Sequence, residues 1–193
     1  MTGRTHDLIA FTSLSVVVVA SDITHLTLAT AVAAVIANQI GGITPDIDEP
    51  TAPLWRNLPS LRFLGKFFGK ISGGHRFLTH SAPGMALFGL LAELLLKTIS
   101  PLMPNVNTGF VWWSFMIGLF SHLLADTFTK EGVPWLLPLP FKFGLPPLKK
   151  LRLTTGKTAE SLIVFPGILM FNIFFYAANY NRVVDILHRI ITK

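Results

Sequence analysis

Apolar residues along this chain do not alternate with polar ones. They gather into five runs with almost no charge: Leu8 to Ala20, Leu26 to Ile43, Ala82 to Ile99, Phe110 to Ala125 and Leu162 to Ala178. Such runs predict helices that sit in a bilayer. A helix crossing the hydrocarbon needs about 17–25 residues, so the shorter runs must borrow polar ends or be shielded by their neighbours. The first run also imitates a signal peptide, with Arg4 ahead of it and Val18 and Ala20 near a cleavage-like point. Pro166 predicts a kink in the last run. The stretch VPWLLPLPFKFGLPPLKK, Val133 to Lys150, reads as a loop or short hairpin. The tail NRVVDILHRIITK sets Val183, Leu187, Ile190 and Ile191 on one helical face, which predicts an amphipathic helix along a membrane surface. No internal repeat is visible. The expected fold class is therefore all-α: a polytopic helical membrane protein with four to five apolar helices, forming one domain over residues 1–193, of which 179–193 is the amphipathic C-terminal tail.

Composition strengthens this picture. With 193 residues, 51% hydrophobic and 13% charged, and a mean hydropathy of +0.56, the chain is too apolar for an ordinary soluble domain. The formal net charge of +6 would point to nucleic acid in a soluble protein. In a membrane protein, basic loops mark the cytoplasmic face instead, so no nucleic acid is expected as a partner. Arg56, Arg62, Lys66, Lys70 and Arg76 fall between Asp46 and His80, and Lys130, Lys142, Lys149, Lys150, Arg152 and Lys157 fall between Asp126 and Glu160. The short connections Ser21 to His25 and Ser100 to Thr108 carry neither Lys nor Arg. The alternation gives a multi-pass inner-membrane topology with Arg4 and the two basic loops inside. Five spans would leave the tail outside, which sits poorly with Arg182, Arg189 and Lys193. There is no cysteine, so any metal site must use His, Asp and Glu.

On this map the candidate ligands collect on the cytoplasmic side. His6 precedes the first run, Asp46 and Asp48 follow the second, His75 and His80 precede the third, His122 and Asp126 close the fourth, and Glu160 opens the fifth. Ionisable groups at membrane depth are costly, so a convergent set marks a functional site. All eight are expected to face one polar pocket, with His25 and His188 outside it. SHLLAD places His122 and Asp126 on one helical face, able to grip one ion. PDID places two carboxylates in a turn after Pro45. In HRFLTHS, Thr79 or Ser81 is a candidate helix cap, and the histidines are either ligands or hydrogen-bonded to backbone. Arg76, between the histidines, reads equally as a phosphate-binding group and as one more positive-inside residue. Lys149, Lys150 and Arg152, beside Leu148 and Leu151, would draw anionic headgroups.

His6, PDID, GHRFLTHS, FSHLLADTFTKEGVPWLLP and TTGKTAES occur in that order. Together they resemble the YdjM-like family of bacterial inner-membrane proteins, described as metal-dependent hydrolases. The resemblance runs from His6 to about Phe165, a family-like region of residues 1–165. Where the family usually has PDIDHP this chain has PDIDEP, so no ligand role carries over to Glu49. The resemblance implies a helical membrane protein with a divalent-metal site and phospholipase-like activity. It also implies a distant similarity to the zinc-dependent phospholipase C group, which uses HxxxD on helices.

Four histidines and four carboxylates exceed what one tetrahedral zinc requires. The set accommodates two ions, or one ion with an acid left over as general base, for which Glu160 and Asp48 are the candidates. Mixed nitrogen and oxygen ligands favour Zn, with Mn or Fe as alternatives. The function expected is a membrane-bound hydrolase acting on a phosphoester such as that of a membrane phospholipid. The alternative is a non-enzymatic membrane protein whose metal staples helix ends and whose basic loops bind a lipid or protein partner. A transporter fits less well, because the ligands stand at helix ends rather than at the bilayer midplane.

Overall fold

Each long apolar run becomes a helix, and three of those helices begin at a side-chain cap. Thr27 Oγ1 accepts from the Thr30 amide at 3.1 Å, Ser81 Oγ from Gly84 at 3.0 Å and Asn107 Oδ1 from Phe110 at 3.0 Å. Each cap satisfies one of the amides that a helix start leaves without a partner. The computed structural model describes residues 1–21, 23, 26–71, 76–139 and 141–192. Among these residues the α-helices are α1 (Gly3–Ala20), α2 (Leu28–Ile43), α3 (Pro53–Asn57), α4 (Arg62–Ile71), α5 (Ala82–Ile99), α6 (Thr108–Thr127), α7 (Phe165–Ala178) and α8 (Tyr180–Ile191). The described residues form no β-strand, only isolated bridges between Thr129 and Leu153 and between Val133 and Phe143.

Four segments are long and apolar enough to cross a membrane: Leu28–Asp48, Ala82–Leu102, Thr108–Thr127 and Glu160–Ala178. At about 1.5 Å per residue, helices of this size span the roughly 30 Å of hydrocarbon. α1 has the length but carries Arg4, His6 and Asp7 near its start. It packs against α2, α6 and α7. α6 is the most enclosed of the spans, whereas α5 and the last span turn most of their surface outward. That outward surface is where lipid belongs.

The tightest pairing is α2 with α6, which run parallel, and small residues explain it. A Cβ on Gly41 would strike the carbonyl of Phe115, and one on Gly118 would strike the carbonyl of Asn38. With only hydrogen at these positions the two backbones touch, the packing that substitutes for a hydrophobic driving force inside lipid. Asn38 Nδ2 adds a bond to the Ser114 carbonyl at 3.1 Å. Polar clasps also tie α1 to α7: Asn172 Nδ2 donates to Thr12 Oγ1 and Tyr176 Oη to Ser15 Oγ, both at 2.7 Å.

α1, α5 and α7 enter from the end at which α2 and α6 finish. Residues 128–139 and 141–159 fold over that end. Val133 and Phe143 exchange both backbone bonds at 2.8 Å, so the Pro-rich stretch contains a hairpin-like turn, and the Ala82 amide reaches the Trp135 carbonyl at 3.1 Å. At the opposite end α8 lies across the bundle. Val183, Ile186, Leu187 and Ile190 close an apolar cavity of about 210 Å³ with α1, α2 and Phe110.

Candidate metal centre

Five of the expected ligands meet at the end where α2 and α6 finish. His6 comes from the first turn of α1, Asp46 from the 3₁₀ turn Thr44–Asp48 that terminates α2, and His80 from the 3₁₀ turn Leu78–His80 before α5. His122 and Asp126 come from the last turns of α6, on one face as their i, i+4 spacing requires. His6, His122 and Asp126 form one group, and Asp46, His80 and His122 another, each with ligand atoms within 4.8 Å of one another. His122 belongs to both.

Imidazole nitrogens and carboxylate oxygens in the cluster approach one another at 3.3–3.8 Å. His6 Nε2 lies 3.3 Å from Asp126 Oδ1. His80 Nε2 lies 3.6 Å from Asp46 Oδ1 and from Asp126 Oδ2, and His122 Nε2 lies 3.6 and 3.8 Å from the same two oxygens. Four ligand atoms at about 2.0–2.1 Å from a tetrahedral ion sit about 3.3–3.4 Å apart. His6 and His122 stack with centroids 3.6 Å apart, and His80 stands edge-on to His122 at 5.3 Å. The three imidazoles and Asp126 are buried, while Asp46 keeps 20% of its side chain exposed and forms the mouth.

Buried polar atoms are nearly always hydrogen-bonded. Here neither nitrogen of His6 has a hydrogen-bond partner among the described residues, nor does Nε2 of His122. The opposite nitrogens show why Nε2 is the available one. His122 Nδ1 lies 2.6 Å from the Gly42 carbonyl, which can only accept, so Nδ1 carries the proton and Nε2 the lone pair. Thr79 Oγ1 donates to Asp48 Oδ2 at 2.6 Å, and His80 Nδ1, 3.0 Å away, then donates to Thr79. Fixing a ligand imidazole by its outer nitrogen is a regular feature of metal sites. Burial pushes the His80 imidazole below its ordinary pKa, toward the neutral form that binds metal.

The remaining sequence candidates are placed differently. Asp48 is buried behind His80 and acts on it through Thr79, outside both ligand groups. Glu160, also buried, accepts from the Thr2 amide at 2.6 Å, Thr2 Oγ1 at 2.8 Å and the Gly156 amide at 2.7 Å. It staples the start of α1 to the π-helical turn Glu160–Val164 that leads into α7, and belongs to neither ligand group. His75 and His25 lie outside the described residues, and His188 is exposed on α8 at the far end. Arg76 is buried at the cluster. Its Nη2 lies 2.6 Å from Asp126 Oδ2, and its Nη1 donates to Thr129 Oγ1 at 3.0 Å. The Met1 amino group also pairs with Asp126 Oδ1. Arg76 has φ 59, a left-handed conformation that costs a non-glycine residue roughly 1–3 kcal/mol and is held here by the buried ion pair. Sequence reasoning did not identify Gly42 or the role of Thr79. The GG pair before TPDID and the Thr next to His80 were the available signals.

Comparison with known proteins adds a family. A model of the YdjM inner membrane protein family matches residues 1–183, reaching past the last span into α8. The YvsG protein of Bacillus subtilis (strain 168) is 30% identical over 143 residues, covering 74% of this chain and 78% of that protein. The inner membrane proteins YdjM of Escherichia coli (strain K12) and of Shigella flexneri are each 36% identical over 104 residues, 54% of this chain. That alignment spans about half of those two proteins, 48% of their length. No solved structure matches the chain.

Proposed function

The chain belongs to the YdjM family of inner membrane proteins, and from that premise we propose that it is a metal-dependent hydrolase acting on a phosphoester of a membrane lipid, with its site on the cytoplasmic face. The observation that carries the metal is the convergence of buried His6, His80, His122 and Asp126 with Asp46 at their mouth, in which imidazole nitrogens of His6 and His122 have no hydrogen-bond partner among the described residues. Zinc suits three imidazoles and two carboxylates, with manganese or iron as alternatives, and the two overlapping groups leave room for one ion or two. When bound, the metal would supply Lewis acidity toward a phosphoryl oxygen and lower the pKa of water. The basic loops at this end support the cytoplasmic assignment.

The chain's own residues divide the remaining work. Gly42 and the Asp48–Thr79 pair hold His122 and His80 with Nε2 inward. Asp46, at the mouth, is where water and substrate arrive, and it is the ligand we place next to the reacting water. Arg76 sets a guanidinium beside Asp126, where it orients an anionic phosphate group. A panel of phospholipids and phosphodiesters tests the reaction. Metal-loaded wild-type protein in lipid should cleave at least one of them, and Asp46→Asn should lose cleavage with the fold intact.

The near-complete burial of the three histidines and Asp126 favours a second reading, in which the ion ties helix ends together and catalyses nothing. Protein that keeps its metal, cleaves no phosphoester, and loses only thermal stability on His122→Ala and Asp126→Ala would establish it.

A further inference from the structure

α4 divides its surface into three stripes. Gly65 and Gly69 face the protein: a Cβ on Gly65 would press against the Trp55 indole, and one on Gly69 would lie 2.7 Å from the Asp48 carbonyl. Around the helix from these come Arg62, Lys66 and Lys70, all exposed and with no acidic residue in α4 to balance them. Next come Phe63, Phe67 and Ile71, exposed by 62, 56 and 65%. At ten residues α4 is too short to cross a bilayer. Three bulky apolar side chains beside three cations are what a helix needs to lie in the interface plane.

We propose that α4 is a membrane-surface helix that sinks Phe63, Phe67 and Ile71 into the leaflet at the metal-centre end and collects anionic phospholipid headgroups with Arg62, Lys66 and Lys70. Charge selects the partner. A zwitterionic surface matches the apolar stripe alone, whereas an anionic one matches both stripes. Position gives the helix a use, because its glycine stripe seats it on the turn that carries Asp46 and Asp48. Phosphates gathered by α4 therefore stand next to the mouth of the cluster. Lipid contact through α4 does not depend on what the cluster catalyses.

The absence of cysteine makes the test direct, since one introduced thiol is the only labelling site. Phe67→Cys and, separately, Ile71→Cys carry a nitroxide in full-length protein reconstituted into phosphatidylcholine bilayers with and without phosphatidylglycerol. Accessibility to oxygen is compared with accessibility to a water-soluble nickel chelate. Both labels should favour oxygen over the chelate, and phosphatidylglycerol should increase that preference. Each of Arg62→Gln, Lys66→Gln and Lys70→Gln should lower the oxygen-to-chelate preference in phosphatidylglycerol bilayers about a few-fold, and the three together should abolish the phosphatidylglycerol effect. Labels that favour the aqueous chelate in every bilayer would overturn the proposal. So would depth that ignores both phosphatidylglycerol and the charges, or label-to-label coupling showing that a second copy covers α4.

Discussion

The two ends of the same helix bundle handle their polar groups in opposite ways. At the α8 end, Thr27 Oγ1 donates to the Asn105 carbonyl at 2.9 Å while capping α2, and the Asn107 amide donates to Thr30 Oγ1 at 3.0 Å. Those residues close helix starts with their own hydrogen bonds. At the other end, buried side chains from α1, α6 and the turn before α5 meet Asp46 from the turn that ends α2, and imidazole nitrogens of His6 and His122 have no hydrogen-bond partner among the described residues. A chain that needed only to finish its helices would use the first arrangement twice. The second arrangement costs stability unless something binds there.

That contrast breaks most sharply when one residue is removed from each end. His122→Ala takes away the ligand shared by both groups and should reduce bound metal to background. Thr27→Ala should cost about 1 kcal/mol as a lost cap and leave the metal in place. Elemental analysis and thermal melts of the two variants check this. Gly118→Val drives a side chain into the Asn38 carbonyl and should destabilise the α2–α6 pair by about 1–3 kcal/mol. Because Gly42 on α2 aims His122 on α6, metal should weaken in the same variant, which a binding titration would show. Thr79→Val keeps the shape of the side chain but removes the bond that orients His80. Metal affinity should fall about 10–100-fold, with the helical signal unchanged. Smallest is Glu160→Gln: the staple to Thr2 and Gly156 weakens by about 1–2 kcal/mol and metal content stays at the wild-type level. Loss of metal from that variant would instead make Glu160 a ligand.

Much of this architecture is legible in the order of the residues. The five apolar runs mark the long helices, because a bilayer demands continuous apolar length, and length is written locally. SHLLAD also announces its geometry, since i, i+4 spacing on a helix is local information. What cannot be read is the choice among equivalent chemistries that contacts distant in the chain decide. Asp48 and Asp46 look alike in PDID, yet the 3₁₀ turn sends one to the cluster and the other to Thr79. Ser81, not Thr79, caps α5, which frees Thr79 to orient His80. Glu160 has the chemistry of a ligand, and only the approach of Thr2, 158 residues away in the chain, assigns it to a staple. Arg76 is more than a topological charge because α6 brings Asp126 to it. α4 did carry a local signal in RFLGKFFGKI, where the charge pattern alone hides the apolar stripe beside it.

His6, Asp46, His80, His122 and Asp126 are proposed together to hold a divalent metal. X-ray absorption spectroscopy of the purified wild-type protein at the edge of the metal it carries tests this most directly. The predicted result is at least one ion per chain, in a shell of nitrogen and oxygen with the multiple scattering of several imidazoles. Protein that carries no metal and takes up none of zinc, manganese or iron, or a bound ion whose spectrum shows no imidazole, would contradict it.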